Sequence, residues 1–207
     1  MAFVVAVAQR KGGAGKSTVA ANLAVALAEA GLKAALLDTD PQGTLTRWHG
    51  LRGQGARDLA FENPAGWRVP QAVTRLRKTM DFVILDTPPH ADTDSRLAMR
   101  SADLVLIPLQ PSVADLWAME GTLEVAAAEK RVVALMLNRV PAQGRAAQEV
   151  AATLKERNLP LLPSPFGNRT AFAAAFAEGM GVTEHASRSQ AATEARALAE
   201  AIRREGA

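Results

Sequence analysis

One stretch decides the fold of this chain: Gln9-Arg10-Lys11-Gly12-Gly13-Ala14-Gly15-Lys16-Ser17-Thr18. An apolar run over residues 3–8 precedes this stretch, and a helix-forming run over residues 19–30 follows it. A strand, a glycine-rich turn and a helix in this order aim several backbone N–H groups and a helix N-terminus at one point, which suits a phosphate group. We therefore predict a phosphate loop in which Lys16 contacts the β- and γ-phosphates and the Ser17 hydroxyl binds Mg²⁺.

The loop differs from the common phosphate-loop pattern at its front. That pattern has glycine six residues before the lysine, where this chain has Arg10, and Lys11 follows as a second lysine. Glycine-rich turns with a lysine also occur by chance, but the flanking strand and helix and the adjacent Lys-Ser-Thr argue against chance here. The sequence predicts a variant phosphate loop and leaves the role of Arg10 open.

The composition limits the kinds of site that the sequence allows. The chain has 207 residues, of which 48% are hydrophobic, and this fits one domain over residues 1–207 with a sizeable core. It has no cysteine, so disulfides, thiolate metal sites and cysteine catalysis are excluded. No apolar run reaches the roughly 18 residues of a membrane span, and the charged loop begins too early for a signal peptide. We expect a cytoplasmic protein.

The whole chain alternates between strand and helix patterns. Further buried strands are predicted over residues 33–37, 82–85, 104–108 and 132–137. Helices are predicted over residues 44–49, 69–78, 94–101, 113–130, 145–158, 170–178 and 189–204, with a loop from the end of the second helix to residue 66. This alternation predicts an α/β fold, with a doubly wound and mainly parallel sheet flanked by helices.

Acidic residues follow two of the predicted strands. Asp38 and Asp40 lie after the second strand, and Asp86 follows four apolar residues. The carboxyl ends of parallel strands are where doubly wound sheets bind ligands. An apolar strand that ends in Asp is weak evidence alone, but together with the phosphate loop it indicates a second Mg²⁺ element.

Three motifs in this order resemble those of the ParA/MinD family of deviant Walker A ATPases. They are Lys11-Gly12-Gly13-Ala14-Gly15-Lys16-Ser17-Thr18, then Asp38-Thr39-Asp40-Pro41-Gln42-Gly43, then Val83-Ile84-Leu85-Asp86-Thr87-Pro88-Pro89. The resemblance implies a P-loop NTPase fold that binds ATP and Mg²⁺. It also implies that the nucleotide contacts come from Gly12, Gly13, Ala14, Gly15, Lys16, Ser17 and Thr18.

The resemblance assigns further roles to single residues. Lys11 would be the signature lysine of a homodimer in which ATP is sandwiched between the two subunits. This lysine crosses the dimer interface and touches the nucleotide of the partner subunit. Asp40 would orient the attacking water, so that Lys11, Lys16 and Asp40 form the catalytic set. Asp86 would act on Mg²⁺ through water together with Ser17. Asp38 would support the Mg²⁺ shell or hold the loop, and a cap at the end of the strand is the alternative to these two roles.

Asn138 ends the strand over residues 132–137 at the same edge of the sheet. Similar family members use an asparagine there to hydrogen-bond adenine, because an amide both donates and accepts. Formation of a turn before Pro141 is the alternative role of this residue.

Non-specific DNA is a partner of several ParA-type proteins, and they bind it through basic residues of the C-terminal part. The candidates here are Arg169, Arg188, Arg196, Arg203 and Arg204. Arg196 and Arg203 share a face of the last helix, while Leu198 and Ile202 face the core. Solvated surface charge is the alternative for each arginine, and three glutamates of the last helix weaken the patch, namely Glu194, Glu200 and Glu205.

Other branches of the family and other classes fit less well. A MinD-like membrane helix needs more apolar residues than Leu198 and Ile202, so no stable membrane anchor is expected. The lack of cysteine speaks against the iron–sulfur carrier branch. Because the sequence starts at its first strand, we expect no helix-turn-helix domain before it, which resembles the short ParA type of partition and positioning ATPases. A dethiobiotin-synthetase-like enzyme that acts on a small molecule is a rival, as is a scaffold that binds nucleotide with little turnover.

The resemblance implies a slow ATPase that a ParB-like or other small partner protein stimulates. Its ATP dimer would hold non-specific DNA, so the protein would associate with the nucleoid in that state. Its cargo would be a plasmid, a chromosome region or a protein assembly.

Overall fold

The computed structural model describes residues 1–89 and 93–206. Its strands are β1 (Phe3–Val7), β2 (Ala34–Asp38), β3 (Ala60–Glu62), β4 (Phe82–Asp86), β5 (Leu104–Leu109) and β6 (Val132–Leu137). Its helices are α1 (Lys16–Glu29), α2 (Thr44–Gly50), α3 (Val69–Leu76), α4 (Thr93–Ser101), α5 (Val113–Ala128), α6 (Ala146–Glu156), α7 (Thr170–Ala177), α8 (Val182–His185) and α9 (Gln190–Glu205). A 3₁₀ turn, Gly66–Arg68, precedes α3.

The strands of the described chain form one parallel sheet in the order β3-β2-β4-β1-β5-β6. The predicted α/β fold is therefore confirmed. β1 lies between β4 and β5, so the chain leaves it on one side for β2 and β4 and returns on the other for β5 and β6. This reversal opens a crevice at the carboxyl ends of the strands, where such sheets bind ligands.

Both faces of the sheet are covered, which explains why its strands read as unbroken apolar runs. Along β1, Val5 and Val7 pack in the core that includes α1 and α9, whereas Val4 and Ala6 pack in the core that includes α3. A further cluster lies between β5, β6, α5 and α6. The alternation follows from the period of two in a strand.

Two short elements differ from the sequence prediction. The segment after α2 was predicted as a loop up to residue 66, but Ala60–Glu62 pairs with β2 as an edge strand. The four-residue helix Val182–His185 lies in a stretch with no predicted element. Elements of three or four residues are too short to show a hydrophobic period, so only the contacts of the folded chain reveal them.

The last helix matches its predicted orientation. Leu198 and Ile202 are fully buried, and they belong to the core that also contains α1. Across residues 1–89 and 93–206, we find no helix with both the length and the apolar content needed to traverse a bilayer.

Two glycines with positive φ give a direct test of the packing between α2 and the α7–α8 turn. At Gly179 (φ +69°) an added Cβ would lie 2.7 Å from the backbone of Leu51 and Arg52, whereas at Gly31 (φ +82°) it would meet nothing within 4 Å. We expect Gly31→Ala to lower the free energy of unfolding by about 1–2 kcal/mol, the cost of the left-handed backbone alone. Gly179→Ala should cost about 1–3 kcal/mol more, because backbone atoms must move.

Urea unfolding of both variants would measure this difference. Equal losses would show that α2 and the α7–α8 turn are not packed as described.

Candidate nucleotide-binding site

The phosphate loop connects β1 to α1 through two left-handed residues, Gly13 (φ +78°) and Gly15 (φ +89°). Gly15 immediately precedes α1, and no side chain caps the helix there. The first N–H groups of this 14-residue helix therefore remain available to a ligand at its positive end. The loop has the geometry of an anion site.

Side chains from neighbouring strands fix the shape of the loop by binding its carbonyl groups. Gln110 Nε2 donates to the Gly13 carbonyl at 3.0 Å, and Asn138 Nδ2 donates to the Ala14 carbonyl at 2.8 Å. A Cβ at position 15 would lie 2.4 Å from Asn138 Nδ2, so only glycine fits beneath this amide. The loop is thus held from the carboxyl ends of β5 and β6 before any ligand binds.

A cleft runs from the phosphate loop along the sheet edge as two adjoining cavities. One, of about 250 Å³, is lined by the loop, Asp40, Gln42 and Pro89. The other, of about 340 Å³, is lined by Asn138 and by residues of the segment 167–173. Both are lined by Thr18 and Arg139, so the phosphate end continues into a second compartment.

Asp38 is fully buried and holds the segment that follows β2. Its Oδ2 accepts hydrogen bonds from the Thr46 backbone N–H at 2.7 Å and from the Thr46 hydroxyl at 2.9 Å. Its Oδ1 accepts the Asp40 N–H at 3.2 Å. These bonds support the loop-holding role among the two predicted for Asp38, while a contribution to a metal shell stays a prediction.

Asp86 lies beside Asp38 in the strand register but has a different environment. It is fully buried, and neither carboxylate oxygen has a hydrogen-bond partner in the described chain. Burial raises the pKa of Asp86 to about 7, and the negative charges of Asp38 and Asp40 act in the same direction. The Ser17 hydroxyl and the Lys16 ammonium act in the opposite direction. An orphaned carboxylate beside a loop serine fits the water shell of a magnesium ion.

Lys16 and Asp40 complete the phosphate end of the cleft. Lys16 is largely buried, and its Nζ donates to the Gln9 carbonyl at 3.2 Å. Burial lowers the pKa of Lys16, while the charges of Asp86 and Asp40 counteract this. Asp40 Oδ1 accepts the Gln42 N–H at 2.9 Å, and its side chain lines the cavity.

No group of three or more His, Asp or Glu side chains in the described ranges is arranged to hold a metal ion by itself. This agrees with magnesium chemistry, because Mg²⁺ usually keeps several waters and binds substrate phosphates with few protein ligands. Ser17 and Asp86 are the residues that the structure offers for such a site.

Lys11 points away from the phosphate end of its own cleft. Its Nζ contacts the carboxylate of Asp115 at the start of α5. It lines a neighbouring hollow with Arg10 and Trp117, which adjoins the phosphate cavity at Pro89, and Trp117 is 74% exposed. Arg10 lies over Gly121 of α5, where a Cβ would be 2.1 Å from Arg10 Nη1.

Asn138 has one hydrogen bond to the phosphate loop and one to its own turn. Besides donating to the Ala14 carbonyl, its Oδ1 accepts the Arg139 N–H at 3.0 Å. Its side chain is buried and lines the second compartment of the cleft. The contact with adenine stays a prediction.

Sequence reasoning missed three residues of this region: Gln110, Asp115 and Arg139. The run Ser112 to Asp115 has the spacing of a helix start, and Ser112 does cap α5 by accepting the Asp115 N–H. That signal predicts a cap but not a contact with Lys11, which is 104 residues away in the chain. No local pattern indicates Gln110 or Arg139.

Four of the five arginines predicted to bind DNA are paired with carboxylates. Arg169 pairs with Glu194, Arg196 with Glu29, and both Arg203 and Arg204 pair with Glu200. Arg188 is exposed and has no ion pair within the described residues. The structure does not bring the five together as one free patch, since their charges are largely compensated nearby.

The sequence and fold match those of known nucleotide-binding proteins. A model of the CobQ/CobB/MinD/ParA nucleotide-binding domain (CbiA) matches residues 5–182. The chain belongs to this family. The ParA/MinD resemblance read from its three motifs is thereby confirmed.

Relatives of this CobQ/CobB/MinD/ParA family member include proteins named for intracellular positioning. The chain is 29% identical to maintenance of carboxysome distribution protein A from Halothiobacillus neapolitanus, over 93% of this chain and 92% of that protein. It is 35% identical to the protein of the same name from Gloeobacter kilaueensis, over 87% and 84%. It is 30% identical to the chromosome-partitioning ATPase Soj from Thermus thermophilus, over 96% and 94%.

Solved structures share the fold of this family member at lower identity. Apo McdA from Cyanothece superposes with a TM-score of 0.81 at 19% identity, and covers 98% of this chain and 100% of its own. Cobyrinic acid a,c-diamide synthase from Mycobacterium smegmatis, with an ATP analogue and magnesium, gives 0.82 at 21% identity and covers 99% and 95%. Both likenesses concern the fold alone.

The two buried aspartates should respond oppositely to loss of their charge. Asp86→Asn should stabilise the nucleotide-free protein by about 1 kcal/mol at pH 8, because a buried carboxylate without a partner becomes a neutral amide. Asp38→Asn should destabilise it by about 1–3 kcal/mol, because the Thr46 donors lose a charged acceptor. Thermal unfolding without nucleotide and metal measures both.

The pH dependence gives the sign of the Asp86 effect. Because its folded pKa, about 7, lies above the unfolded value near 3.8, folding takes up a proton between these pH values. The penalty from ionised Asp86 is absent below pH 4 and complete above pH 7, so the advantage of Asp86→Asn should grow across this window. An advantage that does not change with pH would contradict the unpartnered environment of Asp86.

Proposed function

We propose that this protein is a ParA-type ATPase that dimerises around ATP and positions a large protein assembly along DNA. The observation that carries the proposal is the split between the two loop lysines. Lys16 lines the phosphate cavity, whereas Lys11 stands at the loop front and lines a neighbouring open hollow that adjoins this cavity at Pro89. A lysine in this place is available to a nucleotide held by another subunit.

The residues of the cleft suit hydrolysis of ATP to ADP and phosphate. Lys16 and the loop N–H groups would bind the phosphate chain, and Ser17 with Asp86 would hold Mg²⁺. Mg²⁺, when bound, neutralises charge on the β- and γ-phosphate oxygens. Asp40 would orient the attacking water, because its second carboxylate oxygen is not used by the Gln42 bond.

A second subunit would complete this site. Hydrolysis gathers negative charge on the transferred phosphoryl group, and a cation supplied in trans stabilises it. Lys11 of one subunit would supply that cation to the nucleotide of the other. ATP turnover would then be slow in a monomer. It would be faster in a dimer whose two subunits are aligned by a small partner protein, such as a ParB-like protein.

The names of the relatives support positioning as the task and a protein assembly as the cargo. Two of the relatives described above are named for carboxysome distribution, and Soj is named for chromosome partitioning. ParA-type positioning in our proposal uses DNA as the track, held by the ATP dimer through phosphate contacts. Because a dimer presents two copies of each surface arginine, it can make more contacts with DNA phosphates than a monomer.

A MinD-like attachment to membranes has less support from the structure. Leu198 and Ile202, the large apolar residues of α9, are both buried in the core. The described part of α9 therefore offers neither of them to a lipid surface. A small-molecule ligase is supported by the fold likeness to the cobyrinic acid enzyme and by a family model that includes CobQ and CobB, but none of the relatives by sequence described above is named for such a reaction.

The Asp40→Ala variant tests the switch directly. We expect it to bind ATP, to form a dimer that persists with ATP but not with ADP, and to lose at least about 10²-fold in turnover, because the water is no longer oriented. Lys16→Ala is the control and should lose ATP binding itself. Analytical ultracentrifugation and phosphate release measure these effects. Turnover that requires an added metabolite would overturn the proposal in favour of a ligase.

DNA binding can be tested by comparing Arg188, which has no ion pair within the described residues, with Arg196, which is paired with Glu29. Arg188→Ala should weaken DNA binding of the ATP dimer and reduce the slope of log affinity against log salt by about one per subunit, with unchanged stability. Arg196→Ala should instead lower the free energy of unfolding by up to about 1 kcal/mol, because the Glu29 pair is lost. DNA retention over a salt series measures the first effect, and no retention with ATP at low salt would remove DNA from the proposal.

A further inference from the structure

We propose that Asp115 is the positioning residue for Lys11: it holds the lysine ammonium at the loop front and leaves its remaining N–H groups for the nucleotide of a second subunit. This inference rests on the proposed function, because it concerns how the shared site is assembled. Asp115 is the third residue of α5 and is fully buried. It has no contact with the phosphate cavity that would make it a catalytic residue.

The carboxylate of Asp115 is fixed by its own segment. Its Oδ2 accepts the Ser112 hydroxyl at 2.6 Å, and its Oδ1 accepts the Gln110 N–H at 3.1 Å. Both donors are neutral, so Lys11 supplies the counter-charge to this buried carboxylate. A buried carboxylate without its cation is strongly unfavourable, which makes Asp115 a firm anchor for the ammonium.

Lys11 contacts Asp115 with its ammonium group, and its side chain is partly exposed to solvent. Its side chain is 35% exposed, whereas that of Asp115 is 0% exposed. The ammonium has three N–H donors, and the described chain uses one, in the contact with Asp115. Two donors therefore remain for the phosphate oxygens of an incoming nucleotide, with no need for the lysine to leave Asp115.

The same short segment also fixes the phosphate loop. Gln110 binds the Gly13 carbonyl through its side chain and Asp115 through its backbone N–H. The segment between β5 and α5 thus ties the position of Lys11 to the loop that holds the subunit's own nucleotide. Cation and loop are placed relative to each other by the hydrogen bonds of one short segment, as preorganised electrostatic stabilisation requires.

A purely structural role for Asp115 would be that of a helix cap. The cap, however, needs only the Asp115 backbone N–H and the Ser112 hydroxyl, which are 3.1 Å apart. It does not require a buried carboxylate against an ammonium. Ser112→Ala removes this cap but also one of the hydrogen bonds that fix the Asp115 carboxylate. The control for Asp115→Asn is therefore Ser189→Ala, which removes the equivalent serine cap of α9.

The experiment measures ATP-dependent dimerisation in the Asp40→Ala background by analytical ultracentrifugation. Asp115→Asn should raise the dimer dissociation constant at least about tenfold, the worth of a hydrogen bond to a charged group. Its monomer should bind a fluorescent ATP analogue within about twofold of the parent, since its own cavity is intact. Ser189→Ala should lower the melting temperature and leave the dimer constant within the same twofold range.

A double-mutant cycle separates positioning from general damage. Lys11→Ala should weaken the dimer at least as much as Asp115→Asn, and the double variant should be no weaker than Lys11→Ala alone, because Asp115 acts through Lys11. If Asp115→Asn does not fold, Asp115→Glu replaces it. Glu keeps the charge, moves it by one methylene, and should give an intermediate loss that also vanishes without Lys11.

Three results would overturn the inference while the proposed function stands: a parental dimer constant for Asp115→Asn, a loss that persists in the Lys11→Ala background, or a tighter dimer. The last would mean that Asp115 restrains Lys11 instead of positioning it. A parent that binds ATP and stays monomeric would overturn the proposed function, and this inference with it.

Discussion

Charge that is buried at the carboxyl edge of the parallel sheet is the constraint on which this structure depends. Lys16, Asp38 and Asp86 are all withdrawn from water there, and each is tolerated for a different reason. Asp38 accepts hydrogen bonds from Thr46, in the segment that follows β2, and Lys16 donates one to the Gln9 carbonyl of the loop. Asp86 has no such hydrogen-bond partner in the described residues, and this imbalance is the basis on which we propose it for the magnesium site.

The comparison of Asp86 with Asp115 shows how burial and function are related in this fold. Both carboxylates are fully buried beside the phosphate loop. Asp115 has a full set of partners that includes a cation of its own chain, whereas Asp86 has no hydrogen-bond partner in the described residues. A satisfied buried carboxylate can fix a geometry, and an unsatisfied one is free to take a ligand.

The front of the phosphate loop has different surroundings from the rest of the loop. Gly12, Gly13 and residues 15–18 line the cleft, while Arg10 and Lys11 line a hollow beside α5 together with the exposed Trp117. The departure from the common loop pattern thus coincides with the residues that we propose to meet a second subunit. Gly121 provides the space on α5 that the Arg10 side chain occupies.

Sequence alone fixed much of this protein, because strand periods, glycine turns and helix starts are local properties. The parallel sheet, the phosphate loop with Lys16 and Ser17, and the placement of Asp38, Asp40 and Asp86 at strand ends all follow from short stretches. The sequence did not predict the short elements β3 and α8. Three or four residues are too few to show a hydrophobic period, and such elements depend on the neighbours they pack against. The same holds for the surface arginines, whose charge cannot be judged without knowing which glutamate lies beside them.

Only the tertiary structure decided which partner each charged residue has. Lys11 and Asp115 are separated by 104 positions, and Asn138 and Ala14 by 124, so no local pattern indicates either contact. These pairs exist because the strand order places the ends of β1, β5 and β6 side by side. The sequence therefore determined that a nucleotide site forms. The order of the strands in the sheet determined how the phosphate loop is held and where its second lysine lies. The physical reason is that backbone propensities act within a few residues, whereas electrostatic partners are chosen by the packing of the whole sheet.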